Sequence, residues 1–150
     1  MTLTVLAPMS GVAVALTAVP DPVFAEALVG PGVAIDPELQ PGEVVAPITG
    51  RIAKLHPHAF VVVGADGQGV LVHLGIDTVQ LRGEGFELLA AEGDEVAAGT
   101  PIVRWDPGAV AAGGRSPICP VVALDAAAGD LSEMVVSGAI AAGSEVFTWS

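Results

Sequence analysis

The sequence predicts an all-β protein, an antiparallel β-sandwich or barrel-like single domain spanning residues 1–150, with a few short helical turns. Three observations support this fold class. Short valine-rich runs recur about every ten residues, glycine, proline and aspartate separate them, and no window shows the apolar period of a long amphipathic helix. A chain of 150 residues that is 52% hydrophobic is long enough to bury a core of its own.

Seven runs are predicted as strands because β-branched and aromatic residues favour a pleated, half-buried surface. In chain order they are TVLA (4–7), EVVAPI (43–48), FVVV (60–63), VLVHL (70–74), PIVRW (101–105), ICPVVAL (118–124) and SEVFTW (144–149). Helical turns are predicted where proline or aspartate stands near the start of a short segment. They are PDPVFAEAL (20–28), GIDTV (75–79) and DPGAVAAG (106–113).

Two pairs of segments repeat within the chain. APMSG (7–11) is echoed by APITG (46–50), and AGTPIVRW (98–105) is echoed by AGSEVFTW (142–149). The echoes are either common strand–turn phrases or the trace of a duplicated β unit, which would give a pseudo-symmetric sandwich or barrel. The sequence leaves both interpretations open.

The charge and the apolar runs exclude some classes of partner. The formal net charge is −12, which disfavours nucleic acid and anionic lipid and favours either a basic protein partner or simple solubility. The longest apolar run, Gly11–Val19, is too short for a bilayer span of about 20 residues, so we expect no direct membrane insertion. The N-terminal segment lacks the basic region of a signal peptide, and there is one cysteine, so we expect a cytoplasmic protein.

All three histidines of the chain fall within one predicted hairpin. The segment FVVVGADGQGVLVHL (60–74) contains the turn signal Asp66-Gly67, which pairs residues whose numbers sum to about 131–133. His58 then lies opposite or diagonal to His73, with Cβ atoms about 5 Å apart. His56 shares their face if the strand extends that far, and Pro57 places this strand end at an edge.

Three interpretations of this cluster compete. Each histidine could be satisfied separately by backbone groups, the cluster could bind a metal, or it could transfer a phosphoryl group, with one imidazole attacking phosphorus and another binding the oxygens. His56-x-His58 and His73-x-x-x-Asp77 are fragments found in zinc endopeptidases of the lysostaphin-like type. That family has the two fragments in the reverse order, so a zinc metallopeptidase using this His/Asp cluster is the alternative function.

A biotinyl or lipoyl carrier domain is a further alternative. GEVVAPITGRIAKL (42–55) and EGDEVAAGTPIV (92–103) look like the two halves of such a domain. The carrier needs a lysine on the tight hairpin between its halves. The only lysine, Lys54, does not stand at such a turn, and this interpretation is rejected.

Longer motifs resemble a known family. HAF (58–60), VHLGIDTVQLRGEGF (72–86), APMSG (7–11) and VVAPITGRIAKL (44–55) are similar to the glucose-type EIIA proteins of the bacterial sugar phosphotransferase system. The resemblance implies a compact antiparallel β-sandwich and a phosphotransferase component with a phosphohistidine intermediate. It implies that His73 accepts phosphate from phospho-HPr, a basic phosphocarrier protein. His73 then passes it to a cysteine on the EIIB domain of a glucose- or N-acetylglucosamine-type permease.

The resemblance also assigns roles to further residues. His58 would stabilise the phosphoryl group without carrying it, and the chemistry needs a backbone carbonyl to fix the tautomer of His73, for which Gly75 is the candidate. Asp77 either pairs with a partner arginine or caps its turn. An exposed apolar patch would bind the partners, and its expected members are Val23, Phe24, Leu28, Val29, Phe60 and Val79.

One residue departs from the family pattern. Many relatives have threonine two positions before the first active-site histidine, and this chain has His56. The hydrogen bonding around His58 is therefore expected to differ from that of the relatives. No cofactor is expected to be required, and a weak zinc site at His58 and His73 is a subsidiary expectation.

Overall fold

A computed structural model describes residues 2–150, which form fourteen strands, two short α-helices and three single-turn 3₁₀ helices. The strands are Leu3–Leu6 (β1), Gly11–Ala15 (β2), Gly32–Pro37 (β3), Gly42–Val45 (β4), Gly50–His56 (β5), Ala59–Val63 (β6), Gly69–His73 (β7), Phe86–Leu88 (β8), Glu95–Val96 (β9), Pro101–Trp105 (β10), Cys119–Ala123 (β11), Leu131–Ser132 (β12), Ala139–Ile140 (β13) and Glu145–Trp149 (β14). The helices are Pro22–Ala25 (α1) and Pro107–Ala112 (α2), and the 3₁₀ turns are Leu16–Ala18, Thr78–Leu81 and Ala128–Asp130.

The strands form three antiparallel sheets, which confirms the predicted fold class. The large sheet has eight strands in the order β13-β2-β3-β11-β7-β6-β5-β9, and the two small sheets have the orders β1-β14-β12 and β4-β10-β8. The main hydrophobic core contains residues of all three sheets, among them Val5, Val44, Phe60 and Phe147. The large sheet therefore packs with one face against the two small sheets.

Both α-helices lie within predicted helical segments, and the 3₁₀ turn Thr78–Leu81 overlaps the end of the predicted turn 75–79. The Asp21 carboxylate accepts a hydrogen bond from the backbone N–H of Val23 at 2.9 Å, and the next residue is a proline at the first helical position. Asp106 caps α2 in the same way. Neither helix, nor any other in the described part of the chain, combines the length and apolar character that a bilayer crossing requires.

The repeated APxxG segments occupy equivalent positions and contact each other. The Leu6 N–H donates to Pro47 O, and the Val45 N–H donates to Pro8 O, both at 2.9 Å. The hydroxyl of Ser10 accepts from a backbone N–H at 3.0 Å, and that of Thr49 does the same at 3.0 Å. Each copy of the motif thus accepts a hydrogen bond from the residue that precedes the other copy.

The AGxxxxxW echoes continue this correspondence. Gly99 N–H donates to Ala46 O at 2.9 Å, and Gly143 N–H donates to Ala7 O at 2.9 Å. The strands of the two small sheets pair in equivalent registers. When each strand of the large sheet is exchanged for its equivalent, the same strand order results, read from the opposite edge. The structure confirms the pseudo-symmetric arrangement, in which β7 and β11 are the equivalent strands at the centre.

The histidine hairpin has the predicted register, with one correction. Ala59 pairs with His73, so paired residues sum to 132, and Gly67 adopts φ +82° at the tip of the β6–β7 loop. His56 and His58 do not share a strand. His56 ends β5 and pairs with Ala59, so that Pro57 and His58 are the two residues of the β5–β6 turn.

The prediction that Phe60 lines an exposed patch is wrong. Its side chain is 1% exposed and belongs to the main core. Side chains alternate across a strand, so Phe60 and Val62 point inwards, while Ala59 stands beside His73 on the outer face.

A second, smaller cluster covers the centre of that outer face. Its buried members are Leu16, Val19, Phe24, Ala34, Ile76, Ile118 and Val122. The first three come from the segment that contains the first 3₁₀ turn and α1. This segment therefore acts as a cover that reaches the edge of His73.

We predict that Phe60→Ala lowers the free energy of unfolding by about 3–5 kcal/mol, because it opens a cavity in the main core. Val12→Ala is the control, since Val12 is 47% exposed on β2, and it should change the free energy of unfolding by less than about 1 kcal/mol. Chemical denaturation measures both. Equal losses in the two variants would contradict the placement of Phe60.

Candidate functional site

Four rings form a row on the outer face of the large sheet. The centroids of Phe24 and His73 are 5.1 Å apart, those of His73 and His58 are 5.3 Å apart, and those of His58 and His56 are 5.8 Å apart. Phe24 is buried, His73 and His58 are half-buried, and His56 is exposed. The row therefore runs from the apolar cover to solvent, with two partly accessible imidazoles at its centre.

One hydrogen bond fixes the His73 ring. Its Nδ1 lies 2.6 Å from the backbone carbonyl oxygen of Gly75. A carbonyl oxygen only accepts hydrogen bonds, so Nδ1 carries the proton and donates. In the neutral ring the lone pair is then on Nε2. The sequence predicted that Gly75 supplies this carbonyl, and the geometry confirms it.

The backbone at Gly75 requires glycine. Gly75 has φ +77°, a conformation that costs other residues about 1–2 kcal/mol. A Cβ added there would lie 2.7 Å from Cγ2 of Thr78 and 3.0 Å from the carbonyl oxygen of Ser116. The tight turn that carries the accepting carbonyl can therefore form only without a side chain.

Two further bonds hold the loop after β7. The buried hydroxyl of Thr78 donates to the Leu74 carbonyl at 2.7 Å, and the Ile76 N–H donates to the Ser116 carbonyl at 2.9 Å. Thr78 is the only buried polar side chain among the described residues. The sequence analysis did not single out Thr78, although a threonine three residues after Gly75 in a predicted turn suggests a cap or a local tie.

His58 is tied through its backbone. Its carbonyl accepts from the Leu74 N–H at 2.7 Å, which joins the β5–β6 turn to the end of β7. Its ring meets that of His73 edge-on, with an angle of 73° between the planes. This places an imidazole with N–H donor capacity beside the ring of His73.

Both central histidines have a lowered pKa. Burial lowers the pKa of His73, and the hydrogen bond to Gly75 and the charges of Asp21 and Asp77 partly oppose this. Burial also lowers the pKa of His58, and the neighbouring charges of His73 and His56 lower it further. Since the ordinary value is 6.5, both rings are neutral near pH 7.

Asp21 is a site residue that the sequence analysis did not identify. It caps α1 and its charge acts on His73. The cap itself is readable from the order Asp-Pro before an apolar run, but nothing in the sequence brings residue 21 beside residue 73. Asp77 is exposed and adopts φ +61°, and its side chain makes no cap hydrogen bond to the turn that it precedes.

The expected apolar patch is only partly exposed. Leu28 is 68% exposed, Val79 is 59% and Val23 is 41%, whereas Val29 is half-buried. Phe24 is 7% exposed and belongs to the second cluster, so its ring supports His73 and does not project as an anchor. The correction arises because the Asp21 cap turns α1 so that Val23 faces outwards and Phe24 faces the sheet.

The remaining candidate ligands and nucleophiles do not join the histidines. Within residues 2–150, no three His, Cys, Asp or Glu side chains are arranged to hold a metal ion. Cys119 is buried, and burial raises the pKa of its thiol well above the ordinary range. The reactive geometry of the site is therefore the open Nε2 of His73 with the His58 imidazole next to it.

Comparisons with known proteins show similarity to one protein family. Residues 3–128 match the family model described as phosphoenolpyruvate-dependent sugar phosphotransferase system, EIIA 1. The chain is 43% identical over 122 residues to the glucose-specific EIIA component of Staphylococcus aureus strain Mu50, covering 80% of this chain and 72% of the relative. The component of Staphylococcus epidermidis strain RP62A is 40% identical over 120 residues, which are 79% and 71% of the two chains.

A solved structure shares the fold. The glucose permease IIA of Mycoplasma capricolum superposes with a TM-score of 0.89 at 35% identity, covering 99% of this chain and 96% of that one. None of these similarities supports the zinc metallopeptidase alternative.

We predict that Gly75→Ala lowers the free energy of unfolding by about 2–5 kcal/mol, because strained φ and overpacking against Thr78 add. Gly67→Ala is the matched control: Gly67 also has positive φ, but a Cβ there meets nothing within 4 Å. The control should lose only about 1–2 kcal/mol. Nitrogen NMR should also show that Gly75→Ala loses the Nδ1–H tautomer preference of His73. Retention of that preference would contradict the role of the Gly75 carbonyl.

Proposed function

Because the chain belongs to the EIIA 1 family of the phosphoenolpyruvate-dependent sugar phosphotransferase system, we propose that its phosphoryl carrier is Nε2 of His73. The chain is a phosphotransferase component that acts in sugar uptake. The observation that carries the proposal is the hydrogen bond from Nδ1 of His73 to Gly75, which leaves Nε2 as the one nitrogen with a free lone pair.

The first half-reaction loads the carrier. The Nε2 lone pair of His73 attacks the phosphorus of phospho-HPr and forms a new N–P bond. The N–P bond of the donor breaks, and its electron pair leaves with the donor imidazole. Nδ1 keeps its proton throughout and continues to donate it to the Gly75 carbonyl, so the ring becomes a positively charged phosphoimidazolium without any proton transfer from His73.

The second half-reaction unloads it. A cysteine thiolate of an EIIB domain attacks the same phosphorus, and the N–P bond to His73 breaks with its electron pair returning to Nε2. His58 does not form a bond to phosphorus in either step. Its ring, 5.3 Å from that of His73, stabilises the equatorial oxygens by donating an N–H as charge shifts onto them.

Exposed residues of the α1 segment and of the loop after β7 support docking of two partners in turn. The apolar side chains of Leu28, Val79 and Val23 are exposed, so a bound partner can bury them. Asp77 is also exposed and can pair with an arginine at the edge of the partner's interface. The net charge of −12 favours rapid association with a basic carrier such as HPr.

The proposal also includes the type of sugar permease that the protein serves and its location in the cell. The two staphylococcal relatives are described as glucose-specific components, so the permease served is of the glucose or N-acetylglucosamine type. The single buried cysteine, Cys119, is consistent with the reducing cytoplasm.

The proposed transfer uses no cofactor. Phosphorus and a metal ion would compete for the same lone pair, since Nδ1 of His73 is already occupied by its proton. A zinc ion bound at His73 would therefore inhibit loading and would not assist it.

We predict acid-labile phosphate on His73 when the protein is incubated with purified phospho-HPr, with or without a chelator. His73→Ala should accept none. His58→Gln should still be loaded, but rapid quench should show transfer to EIIB slowed by about a hundredfold or more, because one positioned donor is lost. Phosphate on His58 in the His73→Ala variant would reverse the assignment, and equal wild-type rates in both steps would show that His58 has no role.

We also predict that Leu28→Asp and Val79→Asp each weaken HPr binding about five- to thirtyfold, because each removes an exposed apolar side chain of the expected docking patch. Leu88→Asp is the control. Leu88 is 45% exposed but lies on β8 of a small sheet, outside the sheet that carries His73. Titration calorimetry measures all three. Equal weakening by Leu88→Asp would place the docking surface elsewhere.

A further inference from the structure

His56 has no part in the transfer steps described above, yet it continues the row of rings. It ends β5 and is exposed, and its ring stacks on that of His58 with a centroid distance of 5.8 Å and 26° between the planes. Stacked aromatic rings at this separation attract each other. The His58 ring therefore contacts two other imidazoles, those of His56 and His73.

The His58 ring depends on such a contact because it has little else to fix it. His73 is oriented by the Gly75 carbonyl, whereas the His58 side chain makes no hydrogen bond to any described residue. Only its backbone is tied, through the carbonyl that accepts from Leu74. A donor that is free to rotate would lose much of its value for a transition state.

The turn between the two histidines is stiff. Pro57 fixes its own φ and restricts the preceding residue, His56, to extended backbone. Pro57 also lies against the loop at Gly83, where an added Cβ would be 3.3 Å from its ring. The two imidazoles are therefore presented side by side by a connection of one rigid residue, Pro57.

We propose that His56 is a positioning residue for phosphoryl transfer, which holds the His58 ring beside His73 from the solvent side. The inference rests on the proposed function. His56 itself touches neither phosphorus nor the oxygens. It acts by restricting His58 to the rotamer in which an N–H faces the phosphoryl group.

The charge of His56 also affects the pKa of His58. A phosphoryl group brings about two negative charges to His73, and a protonated His58 would donate to it more strongly than a neutral one. A positive charge on His56 opposes that proton uptake. His73 is the other titratable group that acts on His58, and it lowers the pKa of His58. Asp21 and Asp77 act on His73, whose pKa they raise.

Two variants separate stacking from charge. His56→Ala removes both, whereas His56→Phe keeps a stacking ring without charge, and Lys54→Ala is a control that removes an exposed cation from the same strand. His56→Ala should slow transfer to EIIB about two- to tenfold, the effect expected for one aromatic contact. His56→Phe should restore the rate, and Lys54→Ala should leave it unchanged.

Proton NMR of the unphosphorylated protein supplies an independent readout. Both His56 variants should raise the pKa of His58, because the charge that lowers it is gone, while only His56→Ala should increase the mobility of the His58 ring. Wild-type rates and unchanged His58 ring signals in His56→Ala would overturn the proposal. Absence of phosphate on His73 in the wild type would instead overturn the proposed function, and the NMR comparison would still test the contact.

Discussion

The hydrogen bond from His73 Nδ1 to the Gly75 carbonyl is the interaction on which the rest of the site depends. It determines which nitrogen is protonated and therefore which one can react. It also connects the His73 ring to the backbone two residues later, so the orientation of the ring depends on the loop. That loop has its own constraints, since Gly75 needs positive φ and the Thr78 hydroxyl secures the Leu74 carbonyl. A ring orientation is thus maintained by backbone geometry, which is less mobile than any side-chain partner.

The pseudo-symmetric framework explains where this site can arise. Ala59 pairs with His73 on one side of the centre, and Gly32 pairs with Val122 at the equivalent place on the other. Both positions face the outer side of the large sheet. Val122 is buried by the cover that includes Leu16 and Phe24, whereas His73 touches only the edge of that cover through Phe24. Equivalent backbone positions therefore differ in function because one irregular segment covers the first and leaves the second half-open.

The parts of this arrangement that follow from local rules were predictable. The Asp66-Gly67 signal gave the β6–β7 register and hence the meeting of His58 and His73, and the Asp-Pro pairs gave the helix starts. Strands β2 and β3 were not identified, because they contain glycine, alanine and proline, which are less common in strands than the β-branched and aromatic residues of the predicted runs. The prediction that Phe24 and Phe60 are exposed was also wrong, because the burial of a side chain depends on which face of the sheet other segments cover. The same reason kept Asp21 out of the predicted site.

Half-burial of His73 reconciles two demands that the proposed relay makes on one ring. A carrier must be neutral to attack, and it must also leave readily when the next acceptor arrives. Burial lowers the pKa of the ring and so favours both, because a less basic imidazole is a better leaving group. Full burial would deny access to two protein partners and would deprive the phosphoryl group of solvent or donors. The Asp21 and Asp77 charges limit the lowering of the pKa, and the His58 ring stands beside the half-buried ring of His73. The cover segment, the Gly75 turn and the β5–β6 turn are therefore parts of one compromise between reactivity and access.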